Sequence, residues 1–142
     1  MSSSLPNVET YQLGNGGFGT LITSVQDNPA TATVTATLSV AQITAGQLNV
    51  IPGGATAAVY TLPTGTEMDT AFPNFKIGSF FEFAVCNQST VAAESSSIAT
   101  GTGWTLVGNV TIAANNAITT ISSGIFRARK TGVGAWTLTR RA

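Results

Sequence analysis

Apolar and polar residues alternate along most of the chain beyond Ala30, most sharply in Gly78–Cys86. Phe81, Phe83 and Val85 share one face of a two-residue period; Phe80, Glu82, Ala84 and Cys86 share the other. Burying one phenylalanine contributes about 1.5–3 kcal/mol, so three of them in four positions are expected to nucleate the core. Gly78 and Asn87-Gln88-Ser89 bound the strand with turn-forming residues. Its second face is apolar except for Glu82, which predicts burial on both sides, as in the middle of a sandwich.

The same period predicts strands at Thr31–Val40, Ala45–Ile51, Ala57–Leu62, Gly103–Gly108, Asn109–Ala114 and Ala117–Ser122, with a loop over Val91–Thr102. One helix is expected, about eight residues long. Thr66 would cap it, Glu67 and Asp69 would complement the helix dipole in its first turn, and Pro73 would end it. Two carboxylates two residues apart do not face each other on a helix, so an acid–base pair is not expected there. The last 18 residues predict a hairpin. Phe126 and Ala128 share a face with Trp136 and Leu138 across a Gly132-Val133-Gly134 loop, with Gly134 free for a left-handed bulge. Phe81, Phe83, Trp104, Phe126, Trp136 and Leu138 are the expected aromatic and aliphatic core.

Residues 1–29 read differently. They are rich in Ser, Asn and Gly, and their large apolar residues, Leu5, Tyr11, Leu13, Phe18, Leu21 and Ile22, are scattered. Gly14-Asn15-Gly16-Gly17-Phe18-Gly19 has the G-x-G-x-x-G spacing, but a dinucleotide loop needs a helix after the glycines, and Thr20–Val25 reads as a strand. The expected organisation is therefore an extended N-terminal arm, 1–29, and a β domain, 30–142. Two readings of the arm stand side by side. Its apolar residues dock on a partner surface or a neighbouring subunit, or Thr20–Val25 is an edge strand of its own sandwich.

Composition narrows the chemistry. The 142 residues carry six basic and six acidic side chains, a charged fraction of 8%, against about 25% in an average soluble domain. Such a surface favours association over free solubility. There is no histidine, which removes Ser-His and Cys-His chemistry and most zinc sites together. The single Cys86 reads as a buried, inert thiol. No catalytic residue, metal site or cofactor is expected. The sequence shows no secretory leader pattern and no apolar run of membrane-spanning length. Five of the six basic residues follow Gly124, and Arg127, Arg129 and Arg141 fall on the polar face of the hairpin. This predicts a solvated or partner-facing polar face; five charges without interleaved aromatics are too few for a nucleic-acid surface. Trp104 or Trp136, if exposed, could stack on a sugar ring. Two glycosylation sequons, at Asn87 and Asn109, read as chance.

The succession Tyr60-Thr61-Leu62-Pro63-Thr64, then Phe72-Pro73-Asn74-Phe75-Lys76-Ile77-Gly78-Ser79-Phe80-Phe81-Glu82-Phe83, carries a resemblance. It continues through Gly101–Gly108, Ile112-Ala113-Ala114-Asn115-Asn116 and Ile125-Phe126-Arg127. Over about residues 57–142 the chain resembles small β-sandwich modules of virion structural proteins from tailed bacteriophages and large DNA viruses. The resemblance implies an all-β, antiparallel, jelly-roll-like sandwich with at most one short helix. It further implies a non-enzymatic capsid decoration or fibre-type subunit located in the virion. Such a subunit would be a homotrimer partnered by a major capsid protein or another virion protein, with no cofactor and no membrane. The competing expectation is a carbohydrate- or receptor-binding sandwich.

Overall fold

The computed structural model describes residues 10–13, 17–20 and 30–142. Near the N-terminus, β1 (Thr10–Leu13) and β2 (Gly17–Thr20) form an antiparallel hairpin in which Tyr11 opposes Gly19 and Gln12 opposes Phe18. Then come β3 (Ala30–Ala32), β4 (Ala36–Thr37), α1 (Val40–Thr44), β5 (Gln47–Val50), β6 (Ala58–Thr61) and α2 (Gly65–Ala71). β7 (Phe80–Asn87), β8 (Ser96–Ala99), β9 (Trp104–Val107), β10 (Thr111–Ile112), β11 (Ser123–Gly132) and β12 (Ala135–Arg140) complete the described elements. The fold is rich in strand and poor in helix.

Beyond the hairpin there are two sheets, of order β3-β5-β7-β11-β12-β9 and β10-β8-β6-β4. From β3 to β11 the chain visits them alternately, one strand at a time. Four neighbouring pairs are two strands apart in sequence and run the same way: β3 with β5, β5 with β7, β4 with β6, and β6 with β8. β9 is also parallel to β12. This corrects the expectation of a purely antiparallel fold. Antiparallel pairing is confined to β1–β2, β8–β10, β7–β11 and β11–β12. Alternation tells which face a side chain takes but not the direction of the neighbouring strand.

One hydrophobic cluster joins the sheets. Leu48, Val50, Phe83, Val85, Phe126, Ala128, Trp136 and Leu138 come from the larger sheet; Ala58, Tyr60, Ile98 and Ile112 come from the smaller. Four of the six expected core residues, Phe83, Phe126, Trp136 and Leu138, are fully buried, while Phe81 and Trp104 pack against the cluster half-exposed. Rings of Phe72, Phe75, Phe81 and Trp136 meet at centroid separations of 4.7–6.3 Å, and Phe83 stacks on Phe126 at 5.8 Å. Burial of β7 on both sides does not hold. Its second face is open, with Phe80 50% exposed and Glu82 exposed.

Several boundaries also move. Thr31–Val40 is not one strand; it is β3, a break and β4, after which Ser39 opens a second helix, α1. Ser39 Oγ accepts from Gln42 N–H at 3.2 Å, and the Gln42 side chain accepts from Ser39 N–H at 2.8 Å. In α2 the cap is Thr64 rather than Thr66, in the same reciprocal arrangement with Glu67. The Val91–Thr102 loop contains β8, whose four residues add to β6. Ala117–Ser122 is a turn, with Thr120 Oγ1 donating to the Ala117 carbonyl at 2.7 Å. The terminal hairpin keeps the expected faces and has Gly134 at φ +62°, but its turn is the two-residue Val133-Gly134 and the register shifts between Lys130 and Gly132.

Candidate interaction surface

β7 and β11 lie side by side in the middle of the larger sheet, and their register decides what the open face presents. Glu82 opposes Arg127, Phe80 opposes Arg129 and Ala84 opposes Ile125. On the next strand Thr139 and Thr137 oppose Arg127 and Arg129. Arg127 is shared by two neighbours. Its Nε and NH2 reach Glu82 Oε1 at 2.9 and 2.8 Å, and its guanidinium lies 4.1 Å from the centre of the Phe80 ring. Arg141 approaches the same carboxylate at 3.5 Å. All of these groups are substantially exposed, so the ion pairs contribute little to stability, about 0–1 kcal/mol each. Arg129 is exposed and makes no ion pair among the described residues. Arg127, Arg129 and Arg141 thus lie on the same side of the larger sheet as Glu82. Sequence reasoning missed the apolar residues that share it, Phe80 and Ile125, both more than 40% exposed. Their parity with Glu82 and Arg127 was the available signal.

The other charged groups are committed to architecture. Asp69 on α2 accepts from Gly134 N–H at 2.6 Å and from Trp136 Nε1–H at 3.0 Å, and pairs with Lys130 Nζ at 3.0 Å. The Gly134 amide is the main cause holding its carboxyl below the usual range; Lys130 and Trp136 act in the same direction. Around this clasp three backbones touch. A Cβ on Gly65 would lie 2.0 Å from the Gly134 carbonyl oxygen, and one on Gly103 2.2 Å from the same atom. Arg140 faces the opposite side of the sheet from Arg141 and donates to the Thr111 carbonyl at 2.7 Å and the Ser123 carbonyl at 3.2 Å.

A buried polar knot fixes the far end of β7. Asn87 Nδ2 donates to the Glu94 carbonyl at 2.8 Å, and Ser89 N–H donates to Asn87 Oδ1 at 3.0 Å. The Ser89 hydroxyl donates to Glu94 Oε2, while Glu94 Oε1 accepts from Ala55 N–H at 2.9 Å, in a turn where Ala55 has φ +54°. Burial, and secondarily the Glu94 charge, push the Tyr60 phenol up. Asn87 is 2% exposed, so its sequon cannot accept a glycan in the folded chain. Cys86 is half-buried rather than buried, and desolvation raises its thiol pKa, which opposes thiolate reactivity.

Neither tryptophan is a free stacking platform. Trp136 is 1% exposed, and Trp104 packs against it at 5.7 Å while donating Nε1–H to the Pro63 carbonyl at 2.6 Å. No group of three or more His, Cys, Asp or Glu converges among the described residues. Of the arm residues, Tyr11 and Leu13 lie on β1 and Phe18 on β2, whereas Leu5, Leu21 and Ile22 lie outside the described residues. Gly17 and Gly19 of the glycine-rich motif are strand positions in β2; Gly14, Asn15 and Gly16 lie outside the described residues. No family model, curated protein or solved structure matches the chain.

Proposed function

We propose that this protein is a non-enzymatic virion surface subunit, a capsid decoration or fibre-type component that assembles as a homo-oligomer. On this reading the two sheets form a jelly-roll-like sandwich in which strands of the two layers alternate along the chain. The observation that carries the reading is the open face of β7 and β11. A half-exposed phenylalanine, an exposed isoleucine and two arginines share the open face of the central strands of the larger sheet, with Arg141 reaching Glu82 from beyond β12, and a monomer gains nothing from leaving that apolar area in water. The described carboxylates support the same reading, because each is already engaged: Glu67 in a helix cap, Asp69 in the clasp, Glu82 with Arg127, and Glu94 in the buried knot. Trimeric stoichiometry and a capsid partner follow from the resemblance to phage and viral modules.

Co-sedimentation with empty capsids of the encoding virus tests the proposal. The intact chain is expected to pellet with capsids, and the double variant Phe80→Ser/Arg129→Glu to lose at least tenfold in apparent affinity, about 1.4 kcal/mol or more. Wild-type protein that stays in the supernatant at saturating capsid would overturn it. Glycan-array binding in that same case would favour the carbohydrate-binding alternative.

A further inference from the structure

β9 is the edge strand of the larger sheet, and its exposed side is built to take another strand. Trp136 N–H donates to the Gly103 carbonyl at 2.8 Å, and Trp136 and Leu138 are in register with Trp104 and Leu106. In a parallel ladder of this phase Thr105 and Val107 bond β12 through both backbone groups, so the N–H and C=O of Trp104 and Leu106 point away from the sheet. Natural edge strands are commonly blunted by charge, proline or a bulge. Trp104-Thr105-Leu106-Val107 has none of these, and Leu106 and Val107 are 39% and 49% exposed. It is also the longest of the four outer strands of the two sheets; β3 has three residues, and β4 and β10 have two each. A single partner strand would use the backbone groups and cover the apolar side chains together.

The chain also supplies a partner without a sheet. Among the described residues β1 and β2 pair only with each other, in four-residue strands that join neither larger sheet, and an isolated two-stranded hairpin is marginal in water. The hairpin connects to β3, at the opposite edge of the larger sheet from β9. Six strands place those edges about 24 Å apart, and a strand added beyond β9 lies about 5 Å further; the ten steps from Thr20 to Ala30 span at most about 36 Å fully extended. Reaching its own β9 would take most of that length in a straight line across the sheet. The β9 edge of a second copy carries no such constraint.

We infer that the β1–β2 hairpin of one protomer adds to the β9 edge of the next, a head-to-tail strand exchange between copies of this chain. Donor and acceptor are different surfaces of the chain, so each contact is heterologous, and copies close into a ring where the rotation between neighbours permits. The inference rests on the homo-oligomer reading and names the surfaces that build it.

The test uses full-length chains and light scattering after size exclusion. Leu106→Pro removes an outward N–H and no bond to β12. Tyr11→Pro/Gly19→Pro removes one backbone N–H from each hairpin strand. Where wild type is an oligomer, each variant alone is expected to be a monomer with the wild-type circular dichroism spectrum. Mixed one to one, they are expected to form a dimer and nothing larger: the intact hairpin of the edge variant meets the intact edge of the hairpin variant, and both remaining halves are blocked. Should Leu106→Pro unfold, Leu106→Lys places a charge on the same edge with the backbone unchanged and carries the same expectations. A wild-type oligomer that persists in either folded variant, or a mixture that yields no dimer, overturns strand exchange and leaves the oligomer standing. A monomeric wild type overturns both.

Discussion

Asp69 shows how one side chain can hold three elements. It lies on α2 yet satisfies the Gly134 amide in the terminal turn, the Trp136 indole and the Lys130 ammonium. Asp69→Ala leaves two partly buried donors without an acceptor, and is expected to lower unfolding free energy by about 2–3 kcal/mol in urea titrations. The pH dependence has a fixed sign. A carboxyl whose folded pKa is lowered contributes stability that is complete above its unfolded value and is lost as pH falls through the folded one. The stability gap between wild type and Asp69→Asn should therefore be constant above the ordinary carboxylate range, about pH 4, and shrink below it. Gly65 makes a second residue-scale prediction. Alanine at a helical position is favoured over glycine by about 1 kcal/mol, but here its Cβ would meet a backbone oxygen at 2.0 Å. Overpacking costs about 1–3 kcal/mol, so Gly65→Ala should lower the denaturation midpoint rather than raise it. Neither role was legible in the sequence. Asp69 reads locally as a helix-dipole residue, and its partners lie more than 60 positions away.

Strand faces were legible; strand neighbours were not. The two-residue period correctly assigned Phe83 and Val85 to the core side of β7, and Phe126, Ala128, Trp136 and Leu138 to that side of the hairpin. It failed where apolar content was taken for burial, because the Phe80 face of β7 has no second layer among the described residues. One pair of substitutions separates these cases. Phe83→Ala should cost about 3–5 kcal/mol, since its ring is stacked on Phe126 inside the cluster. Phe80→Ala should cost under about 1 kcal/mol, the value of an exposed cation–π contact. Thermal unfolding of the two variants checks both, and equal losses would mean that the faces are assigned wrongly. The helices carried a signal that alternation hid. Ser39-Val40-Ala41-Gln42 and Thr64-Gly65-Thr66-Glu67 both have the capping-box spacing, but Val40 also continued the period of the preceding Thr-rich stretch. β8 was masked for the opposite reason. Its Ser-Ser-Ile-Ala composition is that of a loop, and it becomes a strand because β6 and β10 flank it.

At the scale of the molecule, the alternating passage of the chain between two sheets places every early strand beside one from two steps earlier. The antiparallel β7–β11–β12 unit then joins that parallel series to β9. The low charge density and the absence of histidine, both plain in the sequence, fit a molecule whose unsatisfied groups lie on a sheet face and a sheet edge. The proposed virion role rests on the resemblance, with the open sheet face as its support, and it is tested most directly on the particle itself. Immunogold labelling of purified, intact virions of the encoding virus, with antibody against this chain, should decorate the particle surface at regularly repeated positions. Chain that is abundant in infected cells but absent from purified virions would contradict the account.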